Sequence, residues 1–246
     1  MVEVDSTNAE AARIAAGLAG PEWIFALRQN AARGRRGRAW VSPEGNFAAT
    51  LVMRPQEPPE QIALRSFVAA LALYDAVAEV IGRIEGLSLK WPNDVLLNGG
   101  KLAGILLETV GAGTDVAYLA IGIGVNLRQA PDPQDVEARA LRPVSLLSET
   151  GMDVPPETFL DALASAYARH EAVFTTLGFA PIRRAWLDRA AKLGEVITAR
   201  TAGGEVTGRF ETVDEAGQLV LSTAKSRHAI PAADVYFGEA RDASSD

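Results

Sequence analysis

The chain has 246 residues, 48 % hydrophobic and 22 % charged, with no cysteine and two histidines. That composition gives a chain with a core of its own, and it excludes disulfide stapling, Cys-based metal sites and thiol nucleophiles. The formal net charge is −7, the wrong sign for a general nucleic-acid binder, which needs a basic excess to neutralise phosphates. No apolar run of about 18 or more residues occurs, so no membrane span is expected. The first residues have neither the basic nor the apolar stretch of a signal peptide, which makes the cytoplasm the expected address.

In chain order, Thr7 and Glu10 read as a T-x-x-E capping box opening a helix that Gly20-Pro21 stops. Ser6, Thr7 and Asn8 then sit at a helix N-terminus, where hydroxyls and orphan N–H groups face outward; plain capping is the competing use. Residues 23–27 read as a buried strand, followed by an arginine-rich loop and a second strand at 46–53. Residues 61–81 form one long helical pattern without Gly or Pro. Residues 87–91 read as a strand, and 95–97 and 102–110 as a hairpin turning at Asn98-Gly99-Gly100. Residues 116–127 are a further strand in which Gly122 and Gly124 permit close approach. Residues 128–143 hold three prolines and several acids and read as a surface loop.

Residues 156–177 are helical, with Leu160, Leu163, Tyr167, His170, Phe174 and Leu177 on one stripe; His170 there reads as a packed or edge residue, not a catalyst. A shorter helix is expected at 182–192. The character changes at Gly194. Four β-like runs follow, at 196–201, 206–213, 219–222 and 228–230, then a single helical turn at 231–234 and a last strand at 235–237. This is a small barrel of about 45 residues, too small to be secure alone and expected to dock on the main body.

Three constellations carry chemistry. Arg28, Arg33, Arg35, Arg36 and Arg38 crowd eleven residues that contain no acid. A cationic loop on an acidic chain points to a bounded anionic ligand rather than a long polyanion. Gly34 and Gly37 let the backbone turn, guanidinium forks bind phosphate and carboxylate, and Trp40 offers a stacking face. A solvated basic loop or an RNA-binding patch has the same makeup. In the second, Lys90-Trp91-Pro92-Asn93-Asp94 precedes Gly99-Gly100-Lys101, and Lys90 and Lys101 interrupt apolar strands, where buried charge is expensive unless paired. Lys101 follows a glycine turn and can reach into a site. Asp94 with Asn93 suits a hydrated Mg²⁺; an ordinary hairpin with surface lysines is the alternative. The third, Gly122-Ile123-Gly124-Val125-Asn126, is not a G-x-G-x-x-G fingerprint, and no G-x-x-x-x-G-K-[ST] loop occurs, so any ATP site here is of another kind.

Asp5-Ser6-Thr7-Asn8, Gly34-Arg35-Arg36-Gly37-Arg38, Lys90-Trp91-Pro92-Asn93-Asp94, Lys101-Leu102-Ala103-Gly104-Ile105-Leu106 and Gly122-Ile123-Gly124-Val125-Asn126 resemble, in order and spacing, the biotin protein ligase family. The resemblance covers nearly the whole chain. It implies an α+β fold: a mixed-sheet catalytic domain packed with helices at 1–192, of the class II synthetase-like biotin/lipoate ligase type, an SH3-like barrel at 193–240, and a frayed tail at 241–246. It implies an enzyme that uses ATP and Mg²⁺ to make biotinyl-5′-AMP and passes biotin to a lysine of a carboxylase's biotin carrier protein. Biotin would lie among Ser6, Thr7, Asn8, Gln29, Arg33, Gly34, Arg35, Lys101 and Gly104. ATP would meet Arg35, Arg38, Trp40, Asn93 and Asn126, with Asp94 at the metal and Lys101 and Arg35 as the catalytic pair. Ala32 stands where family members often have glycine.

That reading suits the residues. Joining a carboxylate to an α-phosphate brings two anions together, and fixed cations lower the barrier; no enzyme nucleophile is required of a chain without cysteine. Family members that repress transcription carry an N-terminal helix-turn-helix. With the first motif at Asp5, ligase activity without sequence-specific DNA binding is expected, from a monomer or homodimer. A lipoate or octanoate transferase of related fold is the nearest alternative, and a non-enzymatic RNA-binding module the next.

Overall fold

The computed structural model describes residues 1–112, 115–132, 136–137 and 139–237; the tail expected at 241–246 and part of the 128–143 loop lie outside them. In chain order the elements are β1 (Glu3–Val4), α1 (Thr7–Ile14), β2 (Glu22–Phe25), β3 (Arg28–Gln29), β4 (Phe47–Met53), α2 (Pro59–Ala63), α3 (Arg65–Ile81), β5 (Leu87–Lys90), β6 (Asp94–Leu97), β7 (Gly100–Ala112), β8 (Asp115–Val125), α4 (Leu146–Thr150), α5 (Pro156–Leu177), α6 (Phe179–Leu187), β9 (Val196–Thr201), β10 (Gly204–Val213), β11 (Leu219–Ser222), β12 (Arg227–Ile230) and β13 (Asp234–Phe237).

Six strands form the main sheet in the order β2-β4-β8-β7-β6-β5, every neighbour antiparallel. The parallel component of the expected mixed sheet is the short β1–β3 pair. β4 is buried at every position, as an unbroken apolar run between covered faces requires. α3 lies over the sheet and packs against α5 and α6. Its buried Ala and Leu residues, Ala69 to Leu73, form the centre of the core.

The second sheet, β12-β11-β10-β9-β13, is antiparallel throughout. Its Ile197, Phe210, Val213, Leu219 and Leu221 belong to the same apolar cluster as α3. The β10–β11 turn presses into α3: a Cβ on Gly217 would stand 2.9 Å from both Leu64 Cδ2 and Phe67 Cε2, and its φ is +77°. Trp91 Nε1 donates to Gly217 O at 3.1 Å, so the small sheet is plugged into the large one.

Several expectations change. Ser6, not Thr7, caps α1, and no side chain makes a cap bond; Glu10 instead accepts from Arg13, because a partner that fixes its charge outcompetes a backbone N–H. The helix expected at 61–81 breaks at Leu64, leaving α2 and α3. The α5 stripe ends at Phe174, and Leu177 is 66 % exposed. His170 is an edge residue, its Nε2 2.7 Å from Asp75 Oδ2. α6 starts three residues earlier than the expected 182. No helical turn forms at 231–234, since Asp234 already pairs with Arg200 in the sheet. α4 was not expected; Ser145 and Ser148 cap it reciprocally.

Candidate active site

Gly122 and Gly124 alternate on one face of β8, and Gly104 of β7 pairs with Gly124. The missing side chains leave a channel that other residues enter from above. A Cβ on Gly122 would lie 2.2 Å from Asn8 Oδ1, and one on Gly124 2.5 Å from Trp40 Nε1. The close approach expected of these glycines is therefore made by two side chains of the protein itself.

Asn8 is held there. Its Oδ1 accepts from Thr50 Oγ1 at 2.6 Å, and its Nδ2 donates to Glu108 Oε2 at 2.7 Å. Gln29 Oε1 accepts from Thr7 N at 2.8 Å and Thr7 Oγ1 at 3.1 Å. The Gln29 amide nitrogen makes no hydrogen bond among the described residues, so a donor faces the cleft. α1 and β3 together thus present a neutral, hydrogen-bonding seat over a glycine floor. Asn8 is part of its frame, because both of its amide atoms already have protein partners.

Charge gathers on the other side. A bulge in the β6–β7 pairing falls between Val95 and Leu96, beside Lys101. Lys101 Nζ lies 2.7 Å from Asp94 Oδ1, and Lys90 Nζ lies 3.7 Å from Asp94 Oδ2. Burial alone would lift the Asp94 carboxyl; the charges of Lys101, Lys90 and Arg35 outweigh it and hold Asp94 below its ordinary value. Burial depresses Lys90, against the pull of Asp94. Both Asp94 oxygens face ammonium groups, yet its buried Oδ1 has no hydrogen-bond partner among the described residues. Among the described residues no group of three or more His, Cys, Asp or Glu comes together to hold a metal. Asn93 turns its amide inward, donating to Ile105 O. Asn126 donates to Val144 O at 3.1 Å, while its buried Oδ1 has no partner among the described residues.

The arginine loop closes as a small hairpin, with Gly34 N donating to Arg38 O at 2.7 Å and Trp40 N to Ala32 O at 3.0 Å. Its guanidiniums reach the second sheet. Arg35 donates with both terminal nitrogens to Ala233 O at 3.3 Å. Arg36 and Arg38 converge on Asp234 Oδ2 at 2.6 and 2.9 Å. Burial lowers Arg35, against Asp234 and Asp94, while Asp234 is held below its ordinary value, burial being outweighed by Arg38, Arg36 and Arg35.

These parts enclose one cleft of about 480 Å³, lined by every residue that the sequence singled out for biotin, ATP or catalysis, a size that suits a small-molecule ligand. The cleft also takes in Lys90, Asp234 and Tyr236, which were not expected there. Asp234 is 198 residues from Arg36, and no local pattern links the two. The burial of Lys90 had a signal, an ionic residue ending an apolar strand.

Residues 3–126 match the model of the biotin/lipoate A/B protein ligase family, and residues 192–238 match the biotin protein ligase C terminal domain. The chain belongs to the biotin/lipoate protein ligase family. It is 57 % identical to a biotin–[acetyl-CoA-carboxylase] ligase of Paracoccus denitrificans over 97 % of this chain and 99 % of that one. It is 32 % identical to the bifunctional ligase/repressor BirA of Bacillus subtilis over 87 % of this chain, the match spanning 66 % of the repressor. In the solved structure of the Aquifex aeolicus biotin protein ligase in complex with biotin and ATP, the fold recurs with a TM-score of 0.81 and 26 % identity, covering 96 % of this chain and 95 % of that one. The ligase fold thus includes the second sheet. Among the described residues no helix is long and apolar enough to cross a membrane.

Proposed function

We propose that this member of the family is an ATP-dependent biotin protein ligase acting in the cytoplasm. The observation that carries it is the meeting, in one cleft, of a neutral glycine-floored seat with a cluster of cations around a single carboxylate. Biotin's uncharged ring system suits the seat, where Ser6, Thr7 and Gln29 offer hydrogen bonds. Its carboxylate then points toward Lys101 and Arg35. One carboxylate oxygen attacks the α-phosphorus of ATP, the bond to the β-phosphate oxygen breaks, and pyrophosphate leaves. Lys101 and Arg35 stabilise the charge that builds up as the two anions approach. Arg33, Gly34 and Arg38 cover the mixed anhydride, with Trp40, Asn93 and Asn126 at the nucleotide. A neutral lysine amine of the acceptor then attacks the acyl carbon, the amide forms, and AMP leaves.

The names of the relatives and the biotin complex of the Aquifex protein support this reading. A biotin carrier domain of a carboxylase is the proposed acceptor, and a division near residue 193 between catalytic and C-terminal parts is kept with it. Asp94, whose Oδ1 lacks a hydrogen-bond partner among the described residues, and Asn93 would hold Mg²⁺ together with the nucleotide's phosphates, where it would neutralise charge; no step is routed through it. The test supplies biotin or lipoate with ATP and measures pyrophosphate. Biotin-dependent release, then a mass increase on one acceptor lysine, is expected; release with lipoate alone would sink the reading.

A further inference from the structure

Lys90 ends β5 and pairs with Asp94 across the turn into β6. Its side chain is 12 % exposed and lines the cleft. An ammonium has three donors, and buried donors normally have acceptors. Among the described residues Lys90 Nζ makes no hydrogen bond. Its contacts are the looser ion pair with Asp94 at 3.7 Å and the ring of Phe237, whose centroid is 5.7 Å away. The carboxylate's close partner is Lys101, at 2.7 Å. Two ammoniums and the field of Arg35 therefore share one Asp94, and Asp234 is engaged by Arg36 and Arg38. This wall has surplus positive charge and unused donors, an arrangement that is costly unless another anion enters.

We propose that Lys90 binds an oxygen of the nucleotide's phosphate directly, as a third cation of the reacting centre beside Lys101 and Arg35. This rests on the ligase reading given above. Lys90 and Lys101 flank the same carboxylate, so an anion that meets Lys101 at the α-phosphate lies within reach of both. The Phe237 ring, from the last strand of the second sheet, offers the ammonium a π face at 5.7 Å but no hydrogen-bond acceptor oxygen, and Lys90 lines the cleft. The low exposure of Lys90 keeps water from screening the contact. No covalent step is involved.

The competing role for Lys90 is counter-ion to Asp94 alone, and a double-mutant cycle separates the two. ATP and biotin are titrated calorimetrically into the full chain carrying Lys90→Met, Lys90→Arg, Asp94→Asn and the Lys90→Met/Asp94→Asn pair. Loss of a charge-assisted hydrogen bond weakens ATP binding by about ten- to a hundredfold in Lys90→Met, with biotin affinity held and Lys90→Arg restoring most of the loss. The same loss is expected again in the Asp94→Asn background. Unchanged ATP affinity in Lys90→Met, or no added loss beyond Asp94→Asn, overturns the proposal. If Lys90→Met lacks the wild-type near-UV spectrum, Lys90→Gln against Lys90→Arg makes the same comparison, and equal ATP affinity in those two overturns it. Biotin-dependent pyrophosphate release by the wild-type chain is measured alongside. Its absence would remove the ligase reading, while the titrations judge the Lys90 contact separately.

Discussion

The two walls of the cleft are built on opposite principles. On the seat side, Thr50 and Asn8 are buried and joined by short neutral hydrogen bonds, and the glycine floor is backbone in a sheet. A carboxylate joins them there: Glu108 accepts from Asn8 Nδ2 at 2.7 Å. On the arginine side, Arg36 and Arg38 are 46 % and 42 % exposed, and they close the loop through Asp234 of another sheet. Partly exposed pairs of this kind contribute about 0–1 kcal/mol each and are screened by salt. The seat is thus fixed in advance. The arginine wall is held by ion pairs to Asp234 and, through Arg38, to Glu137.

Lys101 sits where the walls meet and tests the contrast most severely. Lys101→Ala is expected to slow adenylate formation by about 100- to 1,000-fold and to lower the thermal midpoint, since buried Asp94 keeps only the looser Lys90 pair; near-normal pyrophosphate release would remove it from the centre. Next, a side chain on the seat's floor should act by collision. In Gly124→Val the new Cβ meets the Trp40 indole at 2.5 Å, so ATP binding, which the indole serves, should fail and stability drop by about 1–3 kcal/mol. Gly37→Ala, on the other wall, meets nothing within 4 Å but has φ +73°, so it should cost only the left-handed backbone penalty of about 1 kcal/mol. Equal losses in the two variants would erase the distinction.

Smaller effects concern the latch. Asp234→Asn should speed amide exchange across residues 33–38 and lower stability by about 1 kcal/mol or less, without changing exchange at Thr7 and Asn8. The pH response has a definite sign. The Asp234 carboxyl is held below its ordinary value, so its contribution is complete above the unfolded carboxyl's pKa of about 3.9 and is lost as pH falls through the lower folded value. Protection factors at 33–38, exchange corrected for its intrinsic pH dependence, should therefore be flat from neutral pH down to about 4 and fall below that; a fall that begins near neutrality would contradict it.

The difference between the walls also marks what a sequence can disclose. The elements with strong periodicity, β4, α3, α5 and the strands of the second sheet, are visible in the chain, and so are the motifs that line the cleft. The misreadings were local contests. Thr7 looked like a cap because its spacing to Glu10 was right, but Gln29 and Thr50 engage its hydroxyl. The turn expected at 231–234 lost to pairing between β13 and β9. Leu64 breaks a pattern that contains no Gly or Pro to announce it. The two ammoniums beside Asp94 are likewise revealed only by the fold. The Asp234 latch was illegible because it joins segments that are neighbours only in space.

The plug at Gly217 has a further consequence. Because the β10–β11 turn touches Leu64, Phe67 and Trp91 and the two sheets share one apolar cluster, neither can melt without uncovering the other. Heat or denaturant should meet a single cooperative transition. A chain cut near residue 193 would expose the apolar underside of α3 and become a candidate for self-association. The latch can open by local rearrangement, but the floor beneath it is lost only when the whole molecule unfolds.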